Sequence, residues 1–434
     1  MEINFKYSKN AEGMIMERLL VMADDFTGAL DTGVQFATYG ARTEIITDMR
    51  VDFSEYPQAE VLVIDTETRH MGRKEAYETI YQLTQRAVGA GITRLYKKTD
   101  SGLRGNISDE IRAVLDASGQ DFLAFLPAFP KMNRIVSGGI SYVDGIPIEQ
   151  SVFGRDPFEP VTCSRIKDFF GEHKGLVREY TRPEDLVIQR GEKQIAVFDS
   201  VSDEDMHKVA DQLHRKGKLK VLAGCAGFAS AIAGYLQISC LERKAEKLKK
   251  PFLIVCGSIN DISKRQVAYA KERGIRGITL TLEQLLEKEY LNTDEGKKLL
   301  GELVDICARE GVCILDTSSD REEVNRYLAR ELIPLEEARV YIVARISEIL
   351  EYFMDKETDP TIMVIGGDTL IHFVRKMKCR QISLLYELEK GVVYSSMRSK
   401  GKMLKVISKS GGFGEEDLLI RLIDMMEDED VETI

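Results

Sequence analysis

The segment RLLVMADDFTGALDTG, residues 18–33, decides the fold because it joins a strand signal to a helix signal. It begins with the largely apolar run Arg18–Ala23, continues with the acidic pair Asp24–Asp25 and then follows a helical pattern that contains Gly28. A short apolar run bounded by polar residues predicts a buried strand, and a strand that leads directly into a helix is the repeating unit of α/β proteins. The segment therefore predicts a parallel sheet with a strand that ends at two aspartates.

Similar apolar runs recur along the chain, and most are followed by Gly, Asp, Thr or Ser and then by a helical pattern. In the first half the further strand candidates are Thr43–Thr47, Val61–Asp65, Arg94–Lys98, Asp121–Leu126, Gln194–Asp199 and Val221–Gly224. In the second half they are Phe252–Cys256, Gly277–Thr281, Val312–Asp316, Thr361–Ile365 and Met403–Ser408. This alternation predicts an α/β fold with largely parallel sheets flanked by helices. Such sheets bind ligands outside the carboxyl ends of their strands, so the residues after each run are the site candidates.

The length of 434 residues favours two or three domains, at roughly 100–200 residues per domain. The segment Leu241–Pro251 is strongly charged and ends in a proline just before a new apolar strand, which favours a domain boundary there. A solvated helix end is the alternative interpretation. We expect one domain over residues 16–240 and a second over residues 251–434.

Composition excludes several classes of function. The net charge of −11 predicts repulsion of nucleic acid and of anionic membranes. The seven cysteines are odd in number and form no CxxC pair, which argues against a disulfide framework or a zinc site. No apolar run is long enough for a membrane span, and the N-terminal stretch has no apolar region of secretory length. We therefore expect a cytoplasmic protein.

The pair Asp24–Asp25 has two interpretations. Carboxylates at the end of a strand can orient a hydroxyl, accept a proton or hold a cation. One of them could instead cap the following helix, with Gly28 allowing close packing. The sequence alone leaves both interpretations open.

A second candidate, Asp65–His70, also follows a strand. Arg69 offers a planar fork that matches a carboxylate. The alternative is a surface arginine beside a helix start, and His70 is more typical of a packed or exposed histidine than of a base.

The densest group of polar residues is KKTDSGLRGN, residues 97–106. Its cations Lys98 and Arg104 would supply a positive pocket in an acidic protein, and its glycines would let the backbone approach a ligand. A plain loop rarely needs this combination, so the segment indicates a binding site.

The loop Leu126–Arg134 is made rigid by its prolines, and Arg134 could reach an anion. Downstream, Asp144-Gly145 within Val143–Ile146 predicts a hairpin turn. A purely structural loop and hairpin is the alternative interpretation.

Three loops of small residues lie at strand or helix ends in the second half: Cys256–Asn260, Gly366–Thr369 and Lys409–Gly414. A glycine-rich loop at a helix N-terminus can bind an anion through its free amides and the helix dipole. Acidic residues after Gly414 also suit a simple turn into a helix, which is the alternative. There is no Walker loop and no G-x-G-x-x-G sequence, which argues against a P-loop kinase and a dinucleotide enzyme.

Taken together, these segments resemble the four-carbon acid sugar kinase family, once classed as a domain of unknown function. The matching blocks are ADDFTGALDTGVQFA, DTETRH, YKKTDSGLRGNI, LPAFPKMNRIVSGGISYVDG, GGDT and KSGGFG, in the family's order and over about residues 18–414. The chain departs from the family where Asn133-Arg134 replaces the usual Gly-Arg, and it keeps the arginine.

The resemblance implies an N-terminal domain that binds the sugar acid, a C-terminal domain that binds ATP, and a ligand cleft between them. It implies that Asp25, Arg69 and the loop Lys98–Ser101 hold the substrate, and that Ser258, Gly366–Thr369 and Gly411 hold ATP. Family members phosphorylate D-threonate, D-erythronate or 3-oxo-tetronate to give 4-phosphates. The block YKKTDSGLRGNI is more similar to the threonate and erythronate type, with 3-oxo-tetronate as the alternative substrate.

For such a kinase we expect in-line transfer of the γ-phosphoryl group of ATP to the terminal hydroxyl, with Asp25 as the base and Asp100 as the second candidate. Arg69 would pair with the substrate carboxylate. The full set of expected substrate-binding residues is Asp25, Arg69, Lys98, Thr99, Asp100, Ser101, Arg104 and Arg134. The expected ATP-binding residues are Ser258, Gly366, Gly367, Asp368, Thr369, Lys409, Gly411 and Gly412. Mg²⁺ would bridge the phosphates, with Asp368 as a candidate ligand through water.

Two functions of other classes stay open. A non-catalytic sugar-acid sensor would bind ATP without transferring phosphate. A hydrolase or aldolase using Asp24–Asp25 with a metal would act without ATP and would leave the glycine loops unexplained. The sequence also leaves the oligomeric state open, a homodimer included.

Overall fold

A computed structural model describes residues 18–156, 159–189, 191–236, 248–258, 260–317, 321–356 and 360–426. The chain divides into two compact units, Met1–Glu242 and Arg243–Ile434. Most of the expected boundary segment Leu241–Pro251 lies outside the described residues. The two units are called unit 1 and unit 2 below, and each is described by itself.

The described part of unit 1 contains a sheet of eight parallel strands and a small antiparallel sheet of three. In chain order the strands are β1 Leu19–Ala23, β2 Thr43–Ile46, β3 Val61–Asp65, β4 Arg94–Lys98, β5 Phe122–Leu126, β6 Arg134–Ser137, β7 Ile140–Val143, β8 Ile146–Pro147, β9 Val177–Tyr180, β10 Gln194–Phe198 and β11 Val221–Gly224. The parallel sheet has the order β2-β3-β1-β4-β11-β5-β10-β9. Because all its strands run the same way, their carboxyl ends meet at one edge of the sheet.

The helices of unit 1 connect these strands. They are α1 Phe26–Thr38, α2 Arg73–Gly89, α3 Ile107–Ala117, α4 Asp203–Arg215 and α5 Ala226–Ala233. Every residue of β1, β3, β5 and β10 is buried. Strands buried on both faces read as continuous apolar runs, which is why the sequence showed them clearly.

The antiparallel sheet β6-β7-β8 confirms the predicted hairpin. Val143 pairs with Ile146, and the two turn residues Asp144 and Gly145 have φ values of 49° and 81°. Positive φ at both central residues is typical of a type I′ turn, which favours Asp-Gly.

Unit 2 has a second sheet, mostly parallel, built from seven described strands. These are β12 Phe252–Cys256, β13 Gly277–Thr279, β14 Val312–Asp316, β15 Thr361–Ile365, β16 Gln381–Glu389, β17 Val392–Ser399 and β18 Lys402–Lys409. Within unit 2 the order is β13-β14-β12-β15-β18-β17-β16. The first five are parallel, and β17 and β16 are antiparallel.

Helices also flank the sheet of unit 2. They are α6 Asp261–Glu272, α7 Leu282–Leu286, α8 Asp294–Glu310, α9 Arg321–Glu331, α10 Leu335–Lys356, α11 Gly367–Lys376 and α12 Leu418–Asp424. One core cluster joins Val267 and Ala270 of α6, Leu418 and Leu422 of α12, and the sheet. The packing of both helices on the sheet fixes the ends of β12 and β18 relative to each other.

The predicted fold class is confirmed: each unit is a largely parallel sheet flanked by helices. The antiparallel strands β16 and β17 were not predicted. Among the described residues no helix is long and apolar enough to cross a membrane, and no cysteine forms a disulfide.

Candidate active site

Three polar segments of unit 1 follow neighbouring strands of its sheet. The last residues of β3, β1 and β4, which are Asp65, Ala23 and Lys98, lie side by side in register. Asp24–Asp25, the 66–70 loop and the 99–106 loop therefore begin at the same edge. The structure brings together the three segments that the sequence singled out.

The two aspartates differ in exposure and in partners. The side chain of Asp24 is only 2% exposed, and that of Asp25 is 27% exposed. Asp25 caps α1, because its Oδ1 accepts the amide of Gly28 at 3.0 Å. Asp25 is thus a helix cap and, at the same time, the member of the pair that a ligand can reach.

Arg69 binds both aspartates. Its Nε donates to Asp24 Oδ2 at 2.7 Å, and its Nη1 and Nη2 lie 2.9 and 2.7 Å from Asp25 Oδ2 and Oδ1. Burial would lower the pKa of Arg69, but the charges of Asp24, Asp25 and Asp100 outweigh it and raise the pKa well above its ordinary value. The fork of Arg69 is therefore already filled by carboxylates of the protein.

Lys98 is the second cation at the pair. Its Nζ lies 3.2 Å from Asp24 Oδ1 and 3.5 Å from Asp25 Oδ1. Burial alone would raise the pKa of Asp24, but Arg69 and Lys98 hold it well below its ordinary range. Burial would lower the pKa of Lys98, but Asp24 and Asp25 raise it. The four groups form a buried cluster of two anions and two cations.

Gly28 makes room for this cluster. A Cβ at residue 28 would overlap the Lys98 ammonium and would lie 2.5 Å from Asp25 Oδ1. Any side chain at this position would displace Lys98 or the capping carboxylate.

Asp100 and Arg104 form a second pair in the 99–106 loop. Arg104 Nε donates to Asp100 Oδ2 at 2.6 Å, and its Nη1 donates to Asp156 at 3.2 Å. Burial would raise the pKa of Asp100, but Arg69 and Arg104 outweigh it and hold the pKa below its ordinary value. Asp100 is therefore a strongly held anion.

The other predicted residues of this loop lie beside the pair. Thr99 is buried, its amide donates to the carbonyl of Gly224, and its hydroxyl has no hydrogen-bond partner in the described part of the chain. The Ser101 hydroxyl accepts from Arg134 Nη1. Arg134 therefore lies beside the 99–106 loop.

Asn133 explains how the chain keeps Arg134 in place without the usual glycine. Its φ and ψ are 53° and 30°, in the left-handed region. Glycine adopts this region freely, and asparagine is among the few other residues that tolerate it. The replacement therefore preserves the turn that positions Arg134.

Helix α3 supports the loop that carries Arg69. The Asn106 side-chain amide donates to the carbonyls of Thr68 and Met71, both at 2.9 Å. Glu110 is fully buried, accepts from the Thr68 hydroxyl and lies 3.2 Å from Lys97 Nζ. Burial raises the pKa of Glu110 despite the charge of Lys97.

The candidate ATP loops of unit 2 also meet at one edge. Cys256, Ile365 and Lys409, the last residues of β12, β15 and β18, are paired in register on neighbouring parallel strands. The residues predicted to bind ATP follow directly after them. The structure thus brings these three loops together as well.

Small residues are required where these loops touch. A Cβ on Gly257 would overlap the Thr369 hydroxyl, and a Cβ on Gly411 would lie 2.5 Å from Ser258 Oγ. Gly366 has a φ of 118°, which side chains rarely allow. A side chain at Gly257 or Gly411 would therefore displace the hydroxyl of Thr369 or of Ser258.

Lys409 is buried under the third loop, with 2% of the residue exposed. Its Nζ donates to the carbonyls of Ser410 and Gly411 at 3.1 and 3.4 Å. Burial lowers the pKa of Lys409 to about 8, and the nearby Cys256 only partly offsets it. Within the described residues Lys409 has no carboxylate partner.

Asp368 lies apart from the buried groups. It is exposed in the first turn of α11, and its Oδ2 is 3.2 Å from Arg339 Nη2. Across the described residues, no group of three His, Cys, Asp or Glu side chains could enclose a metal ion.

Sequence reasoning missed three supporting residues. Phe153 lies under the guanidinium groups of Arg104 and Arg134, with centroid distances of 5.3 and 4.9 Å. Gln266 of α6 donates to the carbonyls of Phe413, Gly414 and Glu415, while Glu110 supports the 66–70 loop from α3. Only Glu110 had a usable signal, an acid on an apolar helix face just after the 97–106 segment.

His70 stays outside any proposed chemistry. Its ring is mostly exposed and its Nδ1 lies 2.9 Å from Glu159 Oε1. This agrees with the interpretation of an exposed histidine.

Comparison with family models matches both units. Residues 19–232 match a sugar-binding N-terminal domain, and residues 253–419 match a nucleotide-binding C-terminal domain. A crystal structure from Salmonella typhimurium LT2 has the same fold, with a TM-score of 0.80 over 93% of this chain and 98% of that one, at 19% identity. An identity this low shows the fold alone.

Three similar proteins are kinases by name. A D-threonate kinase from Bordetella bronchiseptica is 27% identical over 92% of this chain and 95% of its own length. A D-erythronate kinase from Heliobacterium modesticaldum is 29% identical over 67% of this chain and 68% of its own length. A 3-oxo-tetronate kinase from Pseudomonas fluorescens is 23% identical over 93% of this chain and 95% of its own length. With both family models matched, the chain belongs to the four-carbon acid sugar kinase family, whose members are phosphotransferases with an alcohol group as acceptor.

Proposed function

We propose that this chain is an ATP-dependent kinase that phosphorylates the terminal 4-hydroxyl of a four-carbon sugar acid, either D-threonate or D-erythronate. The observation that carries the proposal is the cluster Asp24–Asp25–Arg69–Lys98, in which one carboxylate reaches solvent and is held in place by two cations. Phosphoryl transfer depends chiefly on positioning and on charge stabilisation, and this cluster is built for both.

Asp25 is the proposed base. Its carboxylate is fixed by Arg69 and by the Gly28 amide, and its partial exposure lets a hydroxyl approach. Asp100 is less suited, because its side chain is only 10% exposed, against 27% for Asp25, and because Arg69 and Arg104 hold its pKa down. It would orient the substrate.

Unit 1 is the proposed sugar-acid domain, over residues 16–240. Lys98 and Arg69 hold the pKa of Asp24 low and hold the Asp25 carboxylate in place, and they would add positive charge near the transferring phosphate. Thr99, Ser101, Arg104 and Arg134 form the remaining wall of the site.

Unit 2 is the proposed ATP domain, over residues 251–434. The loops at Ser258, Gly366–Thr369 and Gly411-Gly412 touch through small residues and hydroxyl side chains, and Lys409 adds a buried cation beneath them. These features favour a bound polyphosphate.

Mg²⁺ is proposed to enter with ATP, because the described residues offer no cluster that could enclose it by themselves. Asp368 fits a contact through water, as an exposed carboxylate beside the Gly366–Gly367 turn. When bound, the ion would neutralise phosphate charge.

The choice of substrate rests on the 97–106 segment and on relatives. The relatives of higher identity are D-threonate and D-erythronate kinases, and 3-oxo-tetronate is the alternative substrate. A homodimer and a cytoplasmic location stay predictions.

An assay that couples ADP formation to a visible signal tests the proposal. It is run with ATP and Mg²⁺ on D-threonate, L-threonate, D-erythronate, L-erythronate and the 3-oxo acids. We expect strong turnover on D-threonate or D-erythronate. ATP binding without turnover on any acid would favour a sensor, and conversion of an acid without ATP would favour a hydrolase or aldolase.

A further inference from the structure

The cations of the unit 1 site differ in whether a protein carboxylate neutralises them. Arg69 and Lys98 are paired with Asp24 and Asp25. Arg104 is paired with Asp100 and Asp156, and Lys97 is paired with Glu110. Within the described residues, Arg134 has no carboxylate partner, and its hydrogen-bond acceptor is the neutral hydroxyl of Ser101.

Arg134 is nevertheless held in a defined position. Its guanidinium carbon lies 4.9 Å from the centroid of the Phe153 ring, and its backbone pairs with Phe129 through two hydrogen bonds. A Cβ on Gly102 would lie 2.5 Å from the same Phe153 ring, so the 99–106 loop also packs on this ring. The guanidinium is therefore fixed beside the 99–106 loop before any ligand arrives.

The guanidinium is also short of acceptors. Its Nε is buried and has no hydrogen-bond partner in the described part of the chain. A half-buried arginine with an unmatched charge and an orphan N–H is a strong attractor for an anion.

We propose that Arg134, stacked on Phe153, binds the carboxylate of the sugar acid and selects acids over neutral sugars, while Arg69 positions Asp24 and Asp25. This rests on the proposed function and changes one expectation from the sequence, which gave the substrate carboxylate to Arg69. The reason is charge balance: a carboxylate arriving at Arg69 would face Asp24 and Asp25, which already occupy its fork. A carboxylate arriving at Arg134 meets an uncompensated positive charge.

Calorimetric titration of the wild type and of Arg134 variants with the sugar acid and with its primary amide tests this assignment. The amide has nearly the same shape as the acid but carries no charge. The wild type should bind the acid more tightly than the amide by roughly 10- to 100-fold, the range expected for a charge-assisted hydrogen bond. Arg134→Met should remove this preference, and Arg134→Lys should keep part of it.

Arg104→Met is the matched control, because Arg104 stacks on the same Phe153 ring but is neutralised by Asp100 and Asp156. It should keep the preference for the acid even if overall affinity falls. The proposal is wrong if Arg134→Met or Arg134→Gln retains the preference, or if Arg69→Met abolishes it while Arg134→Met does not. Because binding is the readout, a wild type that binds the acid but shows no turnover would count against the kinase and leave the assignment of Arg134 standing.

Discussion

The two adjacent aspartates show how neighbouring residues acquire different tasks. Asp24 is buried between Arg69 and Lys98, whereas Asp25 contacts the same two cations, is partly exposed and caps α1. A buried carboxylate with two cationic partners is a structural anion, whereas a partly exposed one is available for chemistry.

Replacing Asp25 with Asn should lower kcat by about 100- to 10,000-fold, the usual contribution of a general base. The KM for ATP should change little, because Asp25 lies in unit 1. Steady-state kinetics measure both constants, with Asp48→Asn as a control at a carboxylate outside the cluster. A normal kcat would remove Asp25 as the base.

Lys409 gives the second residue-scale prediction, a pH dependence of ATP binding. Its pKa of about 8 means that the ammonium loses its charge as the pH rises through that value. The KM for ATP should therefore rise, by roughly 10-fold, between pH 7 and pH 9.

Arg keeps its charge over this range, so Lys409→Arg should show no such rise, and Lys409→Met should show a high KM throughout. The KM for the sugar acid, measured over the same pH range, is the internal control. A wild-type KM for ATP that does not respond to pH would contradict the proposed role of Lys409.

At this scale the sequence predicted which residues follow the strands, but not which of them pair. Asp25, Arg69 and Lys98 were selected because they lie at or just after the ends of predicted strands, and Arg134 because it ends the proline-rich loop after β5. The pairing of Arg69 with both aspartates depends on the order of β3, β1 and β4 in the sheet, which strand patterns alone do not determine.

Among the elements, α3 and α6 act as supports for the loops. Helix α3 holds the 66–71 segment through Asn106 and Glu110. Helix α6 holds the glycine loop that follows β18, residues 410–415, through Gln266 and Ser263. In both units, side chains in or next to one helix donate hydrogen bonds to backbone carbonyls of a loop, and these bonds fix the shape of the loop.

Gln266→Glu should loosen the glycine loop, because the new carboxylate would face three carbonyl oxygens in place of an amide donor. We expect a loss of stability of about 1–3 kcal/mol in unit 2, the cost of leaving buried polar groups unpaired. The KM for ATP should rise while binding of the sugar acid stays constant. Chemical denaturation measures the stability, steady-state kinetics the KM for ATP, and calorimetry the binding of the sugar acid. The control is Gln82→Glu at an exposed position. Equal behaviour of the two variants would argue against the supporting role of Gln266.

The strands of the two sheets differ in how well the sequence predicted them. Parallel strands such as β3 and β15 were found at their observed limits, because burial on both faces makes them continuous apolar runs. The antiparallel strands β16 and β17 are polar at many positions and were missed. The sequence did carry a signal at their turns, which is the glycine at residue 391 and the pair Lys400-Gly401. These residues have positive φ in the structure, as is typical of hairpin turns.

At the scale of the whole molecule, the main electrostatic feature is that most charges of the unit 1 site are paired although the chain as a whole is acidic. The net charge is −11, yet the unit 1 site gathers five cations beside five carboxylates, and Arg134 is the cation that has no carboxylate partner within the described residues. If Arg134 binds the substrate as proposed, an anionic substrate would be attracted by this one residue and not by the overall field.

The stability of unit 1 should fall in acid. The pKa values of Asp24 and Asp100 are lower in the folded chain than the ordinary aspartate value of about 3.9, so their stabilising effect is complete above that pH and is lost as the pH falls through their folded values. Glu110, whose pKa is raised, acts in the opposite sense but only above its own ordinary value of about 4.3.

Hydrogen exchange of peptides from β1 and β4, followed from pH 5 to pH 2.5, measures this loss of protection. Asp100→Asn should make the fall less steep. A protection that stays constant down to pH 2.5 would show that these carboxylates are not held as strongly as their partners indicate.

At the scale of the molecule, the fold class and the family followed from the sequence, because strand-to-helix alternation and six sequence blocks extend over most of the chain. The substrate did not follow, since the family includes kinases named for different four-carbon acids. We expect the choice of acid to depend on the side chains around the 99–106 loop, whose contacts depend on the folded chain.

The most direct test of the central claim is a ³¹P NMR spectrum of the reaction with ATP, Mg²⁺ and D-threonate or D-erythronate. Transfer to the terminal hydroxyl predicts a new phosphate monoester whose phosphorus couples to two protons, formed in equal amount to ADP. A signal coupled to one proton would place the phosphate on a secondary carbon, and inorganic phosphate without any ester would contradict the kinase itself.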